Sequence, residues 1–300
     1  MEKIVKSIEY DYYNRNKVIE TLCEKYKFIK KSVIGKSCSG KEIKALKIGD
    51  APAYCLIAAA FHGSEHITSN IALMFLENLC SSIYNDGYIA GLKARKALIG
   101  RGVIIVPCVN PDGCDISLLG EKACLGAPIN IPKISKKDYT HWNSNFRGVD
   151  INHNFDADWK RLRKAEQDMG IYGPSPTRFG GYSPESEPET KALTELCRKT
   201  SMRHVLALHS QGEVIYWDYG NKNIPRSRKM AEIMATASGY ALDVPTGIAS
   251  GGGFKDWFIT EFCRPGFTVE MGKGKNPLPI TAAEEIYRRT EEMLMLCSIM

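Results

Sequence analysis

The stretch AAAFHGSEHITSN, residues 58–70, places His62, Glu65 and His66 within five positions. It lies between the apolar run YCLIAAAF (54–61) and the segment IALMFLENLC (71–80), whose apolar residues have helical spacing. Two imidazoles and a carboxylate where a buried strand gives way to a helix admit two readings. One is a metal site. The other is a capped helix start, with Ser64 or Thr68 as cap and Glu65 near the positive end of the helix dipole. On this stretch alone the capped start is the simpler reading, and the rest of the chain has to decide.

Outward from it, the chain alternates strands and helices. YNRNKVIETLCEKY (13–26) predicts a helix, with Val18, Leu22 and Tyr26 at spacing four. FIKKSVIGKSCSGKEIKALKIG (28–49) reads as two strands around the turn SCSGKE. AYCLIAAAF (53–61) and RGVIIVPCVN (101–110) are short apolar runs suited to buried strands, with a helix from about Ser64 to Tyr84 between them. HVLALHS (204–210) and GFTVEMG (266–272) are two more strands, and the segments at 186–200 and 282–300 are helices with acidic residues near their starts. This order predicts an α/β fold: a single domain over 1–300, with residues 1–50 part of it, built on a mixed, largely parallel twisted sheet with helices on both faces. In such sheets ligands bind beyond the carboxyl ends of the strands. Four strand ends carry chemically able residues, FHGSE, VNPDG, HSQGE and VEMG. Together they predict one site.

The bulk composition narrows the class. Forty basic against 34 acidic residues in 300 give a net charge of +6, too mild and too scattered to argue for nucleic acid. No segment approaches the roughly 18 apolar residues of a membrane span. The first twenty residues are charged throughout, and the ten cysteines are spread through apolar runs without a CxxC pair. Both features predict reduced thiols in a cytoplasmic protein.

Zinc hydrolases use three protein ligands and leave a fourth position to water, and two His plus one Glu is one of the standard sets. His62 and Glu65 form an HxxE pair, and His209, 144 positions after Glu65, offers the third ligand from another strand end. Such a metal lowers the pKa of its water and polarises the scissile carbonyl. Glu270, a carboxylate in an otherwise apolar strand, is the candidate general base, because an acid buried there needs a reason.

FHGSEHITSN, VPCVNPDG, RGVDINHNFDADW, SEPET, HSQGEVIYW, SGGGFKDWF and FTVEMGKGKNPLP stand in the order seen in zinc metallocarboxypeptidases of the carboxypeptidase A superfamily. IGKSCSGKEIKALKIGD likewise resembles that family's opening hairpin, so the resemblance runs from about residue 15 to 295. HSQGEVIYW and GGFKDWF are most similar to the bacterial branch that cleaves γ-D-glutamyl–diamino acid bonds in peptidoglycan stem peptides. The resemblance implies one Zn²⁺ per chain on His62, Glu65 and His209. It implies that Glu270 takes the proton of the attacking water and gives it to the leaving amine. It also implies that Asn152 helps hold the substrate's carboxylate end.

The chain departs from the family where substrate is read. The arginine that follows the asparagine in carboxypeptidases is His153 here, and imidazole cannot form the guanidinium's bidentate fork. The oxyanion-stabilising arginine has Asn143 at its place, with Arg147 nearby. The substrate-capping tyrosine is replaced by Ile248. Lys255 is either a partner for a substrate carboxylate or a solvated lysine. Asp150 either orients His62 or stabilises a turn, His66 either supports the metal ligands from behind or packs, and Gly251–Gly253 mark a mobile loop at the mouth.

These expectations favour a zinc peptidase acting on small peptide or muropeptide substrates, with no nucleic-acid or membrane partner. The alternatives are a conventional carboxypeptidase, an amidohydrolase of acylated amino acids and a zinc-free peptide-binding pseudo-enzyme.

Overall fold

The computed structural model describes residues 3–220, 222, 224–244, 247 and 250–300. Ile248, the expected replacement for the capping tyrosine, lies outside the described residues. Eight strands form one sheet: β1 (Lys30–Lys36), β2 (Glu42–Ile48), β3 (Tyr54–Ala59), β4 (Val103–Val106), β5 (Met202–His209), β6 (Val214–Tyr216), β7 (Ala241–Asp243) and β8 (Gly266–Glu270). Their order across the sheet is β1-β2-β4-β3-β5-β8-β6-β7. The centre β4-β3-β5-β8 is parallel, and the β1-β2, β2-β4 and β8-β6 pairs are antiparallel. The opening hairpin thus belongs to the same sheet as the apolar core strands.

The main helices are α1 (Tyr12–Lys25), α2 (Ile67–Tyr84), α3 (Pro111–Leu119), α4 (Trp159–Asp168), α5 (Pro188–Lys199), α6 (Ser227–Ser238), α7 (Phe254–Phe262) and α8 (Ala283–Ile299). Strand β3 shows why the core strands read as unbroken apolar runs. Cys55, Ile57 and Ala59 enter one core, with α1, α2, α6 and α8, while Leu56 and Ala58 enter a second, with α5 and α7. A strand covered on both faces has no polar face to alternate with.

Two local expectations are corrected. Neither Ser64 nor Thr68 caps the helix after β3. A short helical turn, Gly63–Glu65, comes first, and α2 follows without a side-chain cap. The Ser64 hydroxyl donates to Asn143 Oδ1 at 2.5 Å, and the Thr68 hydroxyl accepts from Ala60 N–H and donates to Glu65 O. Both side chains brace the turn rather than the helix. The triple glycine is also no loose loop: Gly251 N–H donates to Asp256 Oδ2 at 2.7 Å and Gly252 N–H to Ala157 O at 2.7 Å.

Candidate active site

The turn after β3 is so tight that residue 63 must be glycine. A Cβ there would lie 2.2 Å from Gly113 O and 2.4 Å from Trp142 O. That compression brings His62 and Glu65 onto the end of the sheet. His62 Nδ1 lies 2.9 Å from Glu65 Oε1, and His209 Nδ1, at the end of β5, lies 2.9 Å from Glu65 Oε2. Glu270, at the end of β8, pairs in register with His209. Three of the four strand ends named above therefore meet. The fourth supports them from behind: Asn110 of VNPDG donates to Phe61 O at 3.0 Å and Asn143 O at 3.1 Å, and caps α3 through Gly113 N–H.

The donor atoms of His62, Glu65 and His209 lie within 4.8 Å of one another, and Glu65 and His209 are buried. His62 Nε2 is engaged by Asp150 Oδ1 at 3.0 Å, which leaves Nδ1 as the nitrogen free for a metal. Asp150 itself is fixed by the backbone N–H groups of Asn152 and Arg178. A carboxylate on the second nitrogen is the usual outer support of a metal-binding histidine. Asn276 Nδ2, 3.3 Å from Glu65 Oε1, adds a contact that the sequence reading did not single out. His209 Nε2 is buried without a hydrogen-bond partner. Two imidazoles and one carboxylate, with the His62 ring already oriented from outside by Asp150, fit a zinc ion.

The electrostatics show what the trio does without a cation. Burial pushes Glu65 up, but His62 and His209 overcome it and hold the carboxyl at about 2. Burial lowers His62, yet Glu65 and Asp150 raise it well above its ordinary value. Asp150 is pushed up by burial and pulled far below the carboxylate range by His62 and His153. Burial, with Glu65 adding, pushes Glu270 well above its ordinary value against the pull of His62.

One cavity of about 200 Å³ holds His62, His209 and Glu270 together with Asn152, His153 and Lys255, and also Tyr216, Asp256 and Thr268. Asn152 Oδ1 accepts from Phe254 N–H at 3.1 Å, so its amide NH₂ is the group it offers the cavity. His153 Nδ1 lies 2.7 Å from Glu166 Oε1, and the same buried carboxylate pairs with Arg163. Lys255 is not a solvated lysine. It is 4% exposed, ion-paired with Asp256 and donates to Asp218 O at 2.8 Å. Two expected contacts are not in the cavity. Arg147 is exposed and lies 3.7 Å from Glu187, and Asn143 faces Ser64 of the tight turn. His66 is buried against α1, where burial and Arg15 lower it to about 4, so it is a neutral packing residue.

A parallel-centred α/β sheet with this trio and a half-buried acid at its carboxyl edge defines a zinc-dependent metallopeptidase. The chain belongs to the zinc carboxypeptidase family, whose description matches residues 16–295. It is 34% identical over 281 residues to gamma-D-glutamyl-L-diamino acid endopeptidase 1 of Lysinibacillus sphaericus, covering 93% of this chain and 69% of that one. It is 28% identical over 160 residues to murein peptide amidase A of Escherichia coli K12, covering 51% of each. The fold matches that of bovine thrombin-activatable fibrinolysis inhibitor in complex with tick carboxypeptidase inhibitor, with TM-score 0.76, 22% identity and 97% of both chains covered. Among the described residues no helix is long and apolar enough to cross a membrane.

Proposed function

We propose that this zinc peptidase hydrolyses the γ-D-glutamyl–diamino acid bond of peptidoglycan-derived stem peptides, with His62, Glu65 and His209 holding the metal. The observation that carries this reading is the buried Lys255 that lines the same cavity as Glu270. Diaminopimelate leaves such a bond as an amine with a carboxylate at each end. Asn152 and His153 line that cavity and are the partners we assign to the near carboxylate. Lys255 lines it as well, with two of its three N–H donors occupied by Asp218 O and Asp256 and one left for the far carboxylate. The relation to a gamma-D-glutamyl-L-diamino acid endopeptidase supports the same bond.

The zinc ion, when bound, supplies Lewis acidity toward the scissile carbonyl and acidity to a water. Glu270 accepts a proton from the attacking water and delivers it to the leaving nitrogen. In the metal-free protein, burial and the neighbouring Glu65 raise its proton affinity. Asp150 keeps His62 in the tautomer with Nδ1 facing the metal. The ten cysteines, all free among the described residues, suit a reducing cytoplasm, where the substrate would be a recycled fragment rather than intact wall.

The test is incubation of zinc-loaded protein with L-Ala-γ-D-Glu-diaminopimelate, its lysine analogue and ordinary C-terminal peptides, with products read by mass. Free diaminopimelate, with slower turnover of the lysine analogue, is expected. Release only of ordinary C-terminal residues would make the protein a conventional carboxypeptidase. No turnover at all would favour a binding protein.

A further inference from the structure

A second metal-ligating cluster lies on the same two central strands, toward their opposite ends. Cys55 near the start of β3 and His204 of β5 are direct partners in the ladder, and Cys297 of α8 closes over them. All three are buried, at 0%, 1% and 0% exposure, and their donor atoms lie within 4.8 Å of one another. The two sulfurs are 4.0 Å apart. Sulfurs each about 2.3 Å from one ion must lie within about 4.6 Å of each other, so this separation accommodates a shared ion without backbone movement. His204 Nε2 donates to Cys297 O at 2.8 Å. A carbonyl only accepts, so this bond fixes the proton on Nε2 and leaves the Nδ1 lone pair free. This is the arrangement of a metal-binding histidine braced by a backbone carbonyl.

We propose that Cys55, His204 and Cys297 form a second metal site, distinct from the peptidase centre, for a thiophilic ion of the copper(I) class. Two thiolates and an imidazole select soft ions over hard ones. Among the described residues no fourth Cys, His, Asp or Glu joins the group, whereas structural zinc takes four ligands. Charge also favours a monovalent ion. Two thiolates and one positive ion leave a net negative charge, and the Arg203 guanidinium acts on both sulfurs. Arg203 is held there by Ser298 O at 2.8 Å. A cavity of about 300 Å³ reaches the cluster at His204 and is lined besides by Arg203, Arg226, Arg264 and the thioether-bearing Met230 and Met300. Its three arginines repel a bare cation and attract an anionic copper–thiolate complex. Delivery is then ligand exchange, in which each Cys thiol gives up its proton to the departing thiolate as its sulfur takes the metal.

The test is anaerobic titration of the reduced, full-length protein with copper(I) supplied as its glutathione complex, against a chromophoric copper(I) chelator. The wild type and His209→Ala should each withhold one copper per chain. Cys55→Ala and Cys297→Ala should bind it at least tenfold more weakly while keeping their near-ultraviolet circular dichroism. X-ray absorption of the copper-loaded wild type needs no variant and should show two sulfur neighbours and one nitrogen. Three outcomes overturn the proposal: copper retained equally by both cysteine variants, a nitrogen- and oxygen-only shell, or protection of zinc(II) but not copper(I).

Discussion

The two halves of the peptidase cavity treat charge in opposite ways. On the metal side, Glu65 and Asp150 flank His62 and raise its affinity for positive charge. Negative donors there exceed what the protein itself can neutralise. On the substrate-reading side the charges are already paired: Lys255 has Asp256, and Glu166 pairs with Arg163 and takes the His153 ring as a hydrogen-bond partner. The first half is built to receive an ion. The second is built to hold its charges still, so that an incoming carboxylate shares a fixed cation instead of recruiting a mobile one. A lysine fixed in place loses little conformational entropy when it binds.

The largest effects should come from the metal half. His209→Ala should remove both zinc, by elemental analysis, and measurable turnover, and a variant with full zinc and activity would break the comparison at once. Glu270→Gln should keep zinc and lower kcat by about 10²–10⁴-fold, the usual cost of losing a general acid–base group. A wild-type kcat in that variant would show that another group moves the proton. Asp150→Asn should weaken zinc binding by about 10–100-fold, as measured by chelator competition, because it disturbs the tautomer of His62.

The substrate half should show smaller, selective effects. Lys255→Gln should lower the preference for the diaminopimelate peptide over its lysine analogue by about 10–100-fold, the range of one charge-assisted hydrogen bond. Equal losses on both peptides would show that Lys255 supports the wall without reading the substrate.

The smallest effect is one of pH on the metal-free protein. Glu65 is depressed to about 2, so its contribution to stability is complete above the ordinary carboxylate range and disappears as pH falls toward 2. His62 is raised, so its contribution is complete below the ordinary imidazole pKa and disappears as pH rises through the raised value. Both contributions coexist between about pH 4.3 and 6.5. Thermal melts of metal-free protein should show the cluster's benefit in that window, and His62→Gln should flatten it. Zinc must displace the proton, so its affinity should rise by up to about tenfold per pH unit while one proton is released.

Much of this was legible because local spacing encodes it. HxxE at a strand end, an acid inside an apolar strand and the alternation of strands with helices all lie in short windows. The fold, with its parallel centre, followed from them. What stayed hidden depends on partners distant in sequence or on backbone proximity. Arg147 reads as a free cation, yet the chain turns it outward to Glu187. Lys255 lies next to its partner Asp256, but nothing local says that the pair is buried under Tyr219. The triple glycine suggests mobility, whereas its N–H groups are tied to Asp256 and Ala157. Asn276 was within a quoted motif, but its contact with Glu65 spans 211 positions and has no local signature.

The bridging position of Glu65 has a consequence for the unfolded chain. Its partners His62 and His209 are 3 and 144 positions away. An unfolded chain keeps the short pair at little cost, but bringing the third donor alongside means closing a loop of more than a hundred residues, with the entropy loss that entails. With zinc held by these three donors, as proposed, the ion distinguishes strongly between the folded and the unfolded ensembles, and most of its binding free energy acts on the folding equilibrium. At free zinc one hundred times its dissociation constant, that is about 2.7 kcal/mol. The ion required for turnover would thus also fasten the first core strand to the third quarter of the chain, and zinc starvation would be felt as loss of folded protein as well as loss of activity.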